Sequence, residues 1–484
     1  MHPSGQRRPR KQKSSARARN LPSQRSIGGQ PGATSAQELE ARIEDISADI
    51  ERQPEKGVLQ GLERDKSLLQ RQLNAIRDPI QRLPLEISSE IFVQCLPEYP
   101  TLSDVCSVRP RGTMPKFPTM PTLLLNICNA WTDIAASNPK LWSRMNIEFP
   151  AHRVGLEVMV EKWFQRARSH LLDVSLTGAL DATVAALIWR YSSQLGRLTL
   201  SLEPLGPGDH SHVESVVFWE LLGTQPEPVP LLQFLEINGR RKFEYSPRPI
   251  LRFLSLASNI TELILCVALA EEKHEIHVVV LPNLRRLQGG GHGGSLRILD
   301  YICAPQLLSL TVVFPRTNGD IVPFLQHSSS ALQELVIEGA GKLALDEILT
   351  LVPSLIRFEI QWPHIKDVGQ LFNILAQPPP SDVVPNLRIL KLDLINSDPT
   401  VDQWTSESWD TFIRVARRTH IESIHMSDRY AFLLYSLPHD AWESLRELAE
   451  DGKDIWIENI DAEINILFCP WWWDGEFREG LLNY

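Results

Sequence analysis

The chain has 484 residues, more than one hydrophobic core usually serves, and its 43% hydrophobic and 22% charged composition excludes a wholly disordered or collagenous protein. The net charge of −10 is split: eight basic and no acidic residues precede Glu38, which leaves 41 basic against 59 acidic residues in the remainder. So acidic a body repels phosphate backbones, and the longest apolar run, Leu263 to Ala270, is far short of the roughly 20 residues of a spanning helix; neither nucleic acid nor membrane is expected as a partner.

Residues 1–35, rich in Arg, Lys, Ser, Pro, Gly and Gln, read as a disordered basic tail. Its RRPRKQK cluster fits a nuclear import signal and a plain solvated tail equally well. Over 36–78, Leu39, Ile43, Ile46 and Ile50 are spaced as on an amphipathic helix, with Ser35 and Glu38 placed as a capping box. Pro54 and Gly57 interrupt the stripe before Leu62, Leu69, Leu73 and Ile76 resume it, so one broken helix and a helical hairpin both fit. Coiled-coil dimerisation and packing on the chain's own body are both open for this face.

Two further helices are expected over 79–145. In the first, Pro84 suits the first turn and Ile87, Ile91, Phe92 and Cys95 form an apolar face. A Pro-rich loop from Pro97 to Pro121 follows. The second carries Leu124, Ile127, Cys128, Trp131 and Ile134 on one side and closes at Asn138-Pro139, continued by Leu141-Trp142.

Together, the Leu-Pro-x-Glu-Ile opening, the Ile-Phe and Cys-Leu pairs, the Cys-x-x-Trp-x-x-Ile-Ala helix and the Asn-Pro-x-Leu-Trp close resemble an F-box over Ile80 to Trp142. The chain resembles a fungal F-box protein with an N-terminal helical segment and a leucine-rich body. Its inter-helix linker is longer than the usual pattern, and Asn129-Ala130 stand where many relatives carry basic residues. The resemblance implies docking on a Skp-type adaptor and, through it, a cullin scaffold. An adaptor contact centred on Leu83, Pro84, Ile87, Ile91, Phe92, Leu96, Trp131, Ile134, Leu141 and Trp142 is expected, some of them also packing internally.

From Leu171 to Met426 the chain carries ten Leu-x-x-Leu-x-Leu-like matches, LLDVSL, LGRLTL, LQFLEI, ITELIL, LRRLQG, LLSLTV, LQELVI, LIRFEI, LRILKL and IESIHM. Their start-to-start spacings run from 23 to 37 residues, overlapping the about 20–29 of leucine-rich repeats. Apolar-periodic stretches such as Ile250 to Leu256, Leu345 to Leu351, Val368 to Leu375 and Trp409 to Val415 read as the returning helices. The predicted class is therefore α/β: a small all-α F-box, then over 150–470 an irregular leucine-rich-repeat solenoid of parallel strands and helices, then a cap over 471–484 containing Trp471 to Trp473. With the Leu positions inward, the residue between the last two apolar positions faces out. That row is Ser175, Thr199, Glu236, Ile264, Gln288, Thr311, Val336, Glu359, Lys391 and His425, on the concave face solenoids use for binding. Glu236, Ile264, Gln288, Thr311, Val336, Glu359 and Lys391 are its candidate target-binding residues, with Ile264, Thr311 and Val336 as a partly hydrophobic centre.

Catalytic signatures are missing: no H-E-x-x-H, G-x-S-x-G or Walker A motif occurs. GGGHGG at Gly289 to Gly294 lacks the Lys and Ser or Thr of a phosphate loop and reads as a turn. His274 and His277 precede a Val run that favours a strand, which separates them as metal ligands. Six Cys, at 95, 106, 128, 266, 303 and 469, form no CxxC pair, and no apolar signal core follows the basic start. Reduced thiols and a cytoplasmic and/or nuclear location are expected. The resulting reading is a substrate-recognition subunit of a cullin-type ubiquitin ligase, without catalysis, cofactor or metal of its own, holding an unknown protein target. The alternative is a non-ligase repeat scaffold for protein–protein interaction.

Overall fold

The computed structural model describes residues 35–52, 56–97, 120–148, 156–178, 182–201, 228–239, 244–270, 277–290, 296–313, 321–328, 331–339, 343–363, 365–377, 383–394, 405–428, 437–459, 464–465 and 467. Residues 1–34 of the basic tail and 98–119 of the Pro-rich loop, His274, Gly291 to Gly294 and Trp471 to Trp473 lie outside them. Two compact units are present, residues 1–79 and 80–484.

In the first unit, helix α1 (Ala36–Arg52) starts where Ser35 accepts the Glu38 N–H at 3.2 Å, and helix α2 is Lys56–Arg77. Their stripes pack on each other: Leu39, Leu69 and Leu73 are buried, with Ala36, Ile43 and Ile46 against them. An ion pair at 2.5 Å between Glu40 and Arg77 joins the start of α1 to the end of α2, so the helices run antiparallel. The two stretches thus form a helical hairpin rather than one broken helix. Val58, Leu68 and Ile76 of α2 remain exposed.

The second unit opens with α3 (Leu85–Gln94) and α4 (Asn129–Ser137), flanked by short 3-10 turns at Pro79–Arg82, Thr122–Asn126 and Pro139–Trp142. Among the described residues eight more helices follow: α5 (Leu156–Ala167), α6 (Ala182–Arg190), α7 (Pro247–Leu256), α8 (Val322–Ser328), α9 (Leu345–Leu351), α10 (Ile365–Leu375), α11 (Ser406–Ala416) and α12 (His439–Glu450). They return the chain between strands of one sheet: β1 (Arg144–Glu148), β2 (Leu172–Thr177), β3 (Leu195–Ser201), β4 (Phe234–Asn238), β5 (Glu262–Cys266), β6 (Arg286–Gly290), β7 (Ser309–Val313), β8 (Glu334–Glu338), β9 (Arg357–Gln361), β10 (Ile389–Asp393), β11 (Ser423–Asp428), β12 (Asp454–Asn459) and β13 (Ile464–Asn465). The strands lie side by side in chain order, twelve in parallel, with β13 antiparallel to β12. An α/β stack of strand-and-helix units is the result. β1 and β12 precede and follow every Leu-x-x-Leu-x-Leu match, so the sheet extends one unit beyond the motif at each end.

Alternation along the strands places apolar residues inward, as in the burial of Leu263 and Leu265, Phe358 and Ile360, or Leu390 and Leu392. These join the helices in one hydrophobic cluster, continuous from Phe92 to Leu467, so the α3–α4 region shares the body's core.

The first interval of the motif breaks the alternation. Leu284 and Leu287 both point inward three residues apart, which leaves Arg285 and Arg286 together outside. A bulge-like step accomplishes this: the N–H groups of Arg285 and Arg286 both donate to the Thr261 carbonyl. The same pairing recurs at seven successive steps, from Thr261 and Glu262 on Gln233 to Glu422 and Ser423 on Arg388. A second rung lies just before it. Asn259 donates to the Pro230 carbonyl, Asn283 to Ser258, Ser354 to Leu332 and Asn386 to Pro353, each satisfying a carbonyl of the preceding unit.

Candidate protein-docking surfaces

The first surface is on α3. At 100° per residue, Ile87 and Ile91 fall on one stripe of the helix, with Leu83 and Pro84 just before its first turn, while Ser88 and Phe92 fall on the stripe beside it. Only the second faces the core: Phe92 is 1% exposed and packs its ring 4.8 Å from Trp131. The first stripe is open, with Leu83 40%, Ile87 51% and Ile91 37% exposed; Leu85, exposed at 53%, lies on the far side of the Ser88 and Phe92 stripe. The apolar arc of this helix is thus wider than its own core uses.

The ten residues expected at an adaptor contact divide accordingly. Leu83, Pro84, Ile87 and Ile91 are exposed; Leu96, Trp131 and Ile134 are half-buried against the core. Phe92, Leu141 and Trp142 correct the expectation, because they are buried inside the chain and have no surface to offer a partner. Trp142 packs edge-on against Trp163 of α5 at 5.0 Å, under the Arg166 guanidinium. Their task is to fix α3 and α4 on the body.

The second surface is the sheet face opposite the core. The ten outward positions read from the repeats lie in register strand by strand, Ser175 opposite Thr199, then Glu236, Ile264, Gln288, Thr311, Val336, Glu359, Lys391 and His425. Asn146 of β1 and Trp456 of β12 continue the row. Nine of the ten are half-exposed; Val336, at 9%, is the exception and corrects its expected exposure. It takes no part in the core cluster; on the outward side beside it, Ser309 donates to Glu334 at 2.9 Å and Arg357 pairs with Glu334 and Glu359.

Charge on this face is organised. Burial works to raise the Glu359 carboxyl, but hydrogen bonds from Arg357 and Gln361 and the charges of Arg357 and Lys391 outweigh it and hold it below the ordinary range. Hydrogen bonds from His425 and Ser423 hold Asp454 low as well. Asp173 goes the other way: burial raises it, against the opposing charges of Arg197 and Arg144. Arg197 itself stacks 3.6 Å over the Phe234 ring.

Among the described residues, no group of three His, Cys, Asp or Glu side chains is placed to hold a metal ion, and no helix is long and apolar enough to cross a membrane. His277 is exposed. Gly290 closes β6 with φ +98°, and an added Cβ would lie 2.3 Å from the Val313 carbonyl oxygen; here glycine serves close approach of two strands. No protein-family model matches the chain, and no curated protein matches it.

Proposed function

We propose that the chain is an F-box-type substrate-recognition subunit of a cullin-type ubiquitin ligase, with α3 docking on a Skp-type adaptor and the strand-and-helix body holding a protein target. The observation that carries this reading is the exposed apolar stripe of Ile87 and Ile91, with Leu83 at its N-terminal end, on a helix anchored by Phe92. Large apolar side chains grouped on one exposed face are what an adaptor helix interface desolvates at its centre. The leucine-rich repeat reading of the body is supported by the aligned Leu-x-x-Leu-x-Leu strands. In this role the chain performs no bond chemistry; it raises the effective concentration of a target lysine near the charged ubiquitin carrier.

The test is co-purification with a Skp-type adaptor. Changing Leu83 and Pro84 to Ala should abolish it, as should Ile87→Asp, while thermal unfolding of the chain stays unchanged because these side chains are already exposed. Unimpaired capture of the adaptor by the Leu83→Ala, Pro84→Ala double variant sinks the reading. A wild-type chain that captures a target from cells but never adaptor or cullin is instead a non-ligase repeat scaffold.

A further inference from the structure

The bulge-like steps at the strand starts have a chemical consequence. Each places two consecutive side chains outward, and four neighbouring pairs line a groove of about 450 Å³: Thr261 and Glu262, Arg285 and Arg286, Leu308 and Ser309, Gln333 and Glu334. Other cations at the same level are engaged. Arg197 lies on Phe234, Arg357 pairs with Glu334 and Glu359, Arg388 pairs with Glu422, and Lys453 donates to the Arg418 and Ile421 carbonyls. Arg285 and Arg286 are exposed, and among the described residues neither guanidinium has an ion-pair or hydrogen-bond partner.

The two carboxylates of the groove do not cancel this pair. Glu334 is held by Ser309 and Arg357. Glu262 stands in register beside Arg286 without forming an ion pair, one carboxylate against two guanidiniums. Between them, half-buried Leu308 supplies an apolar patch and exposed Gln333 both a donor and an acceptor. Adjacent strands are about 4.8 Å apart, so the groove crosses about 14 Å, the length of roughly four residues of extended chain.

We infer that this groove is an anion-recognition subsite for an extended polypeptide, taking an acidic side chain on the Arg285–Arg286 pair. A guanidinium pairs with a carboxylate through two parallel hydrogen bonds, and two free guanidiniums at one site favour a Glu or Asp cluster over a single charge. On a body otherwise strongly acidic, the patch also selects position, since an acidic segment is repelled elsewhere. The subsite deepens the proposed target-holding role of the body and is independent of adaptor docking.

The experiment uses the full chain without adaptor and follows fluorescence anisotropy of a labelled peptide whose central four residues are Glu, beside the same peptide with Gln. The Glu peptide should bind at least tenfold more tightly, with affinity falling as salt rises. Arg285→Glu with Arg286→Glu should remove that preference, whereas Arg252→Glu, an exposed site on α7, should leave it intact. Arg285→Lys with Arg286→Lys, which keeps charge and loses the fork, should give an intermediate affinity in a chain of unchanged melting temperature. Equal binding of the Glu and Gln peptides, equal loss in the Arg252→Glu variant, or equally tight binding of a single-stranded oligonucleotide would each overturn the inference. Adaptor co-purification is unaffected by these variants, so failure here is distinguishable from failure of the ligase reading.

Discussion

Trp142 donates its indole N–H to the Ala135 carbonyl at 2.7 Å, from a ring that is fully buried. The bond ties the Asn-Pro-x-Leu-Trp close to the end of α4, and the ring carries that junction onto α5 through Trp163. Trp142→Ala should therefore cost about 3–5 kcal/mol. Trp142→Phe should cost about 1–3 kcal/mol, because it keeps an aromatic ring but orphans the Ala135 carbonyl. Urea denaturation followed by tryptophan-independent circular dichroism separates the two; equal stability of both variants with wild type would remove the assigned anchoring role.

Gly289 and Gly290 are neighbours with opposite tolerances. A Cβ at Gly289 meets only ordinary contacts of 3.9–4.0 Å, whereas at Gly290 it meets the Val313 carbonyl oxygen in a backbone of positive φ. Gly290→Ala should lose at least about 1–3 kcal/mol, and Gly289→Ala should be near neutral. Thermal melts of the two single variants are the measurement.

The outward row makes a paired prediction. Ile264→Lys should change stability by under about half a kcal/mol, since the side chain is half-exposed beside Glu236. Val336→Lys should cost about 1–3 kcal/mol, since it buries an ammonium beside the Glu334, Arg357 and Glu359 network. Chemical denaturation of each variant decides; identical losses would mean that the burial of Val336 carries no weight.

Asp173 and Asp454 should respond to acid with opposite signs. The raised Asp173 carboxyl is penalised when ionised, so Asp173→Asn should stabilise at neutral pH, and its advantage should shrink as pH falls through the raised value and the native carboxyl takes up its proton. The lowered Asp454 carboxyl stabilises the fold above the ordinary carboxylate range and loses that contribution as pH falls through its depressed value. Asp454→Asn should thus destabilise at neutral pH and approach wild type in strong acid. Melting temperatures of the three proteins across pH 2–8 report both trends.

The sheet was more legible in sequence than the docking surfaces. Period-two alternation in motifs such as LIRFEI fixes which side of each strand is apolar, and one register error would have inverted the whole row. The same letters are silent about cover. Phe92 and Ile91 are adjacent apolar residues of one helix, yet one is sealed by Trp131 and the other is open, a difference set by a helix more than 35 residues away in the chain. Val336 carries the matching lesson, since Arg357 on the neighbouring strand pairs with Glu334, two residues before Val336 on its own. The arginine pair was visible as letters in LRRLQG, but only Gln288 of that motif was assigned to the outward row. The three-residue interval between Leu284 and Leu287 was the overlooked signal, because strict alternation cannot bury both.

The antiparallel β13 bears on how many molecules a particle contains. Twelve strands running one way repeat the same donor and acceptor pattern at every step, and a stack that simply stopped would present its last strand as a template for the first strand of another molecule. That is the geometry of an open filament, growing head to tail without closure. By folding Ile464–Asn465 back against Glu458 and Asn459, the chain ends its ladder with a strand of reversed polarity. An incoming parallel strand then finds Glu458 and Asn459, at the exit end of β12, already paired with a strand of the opposite sense.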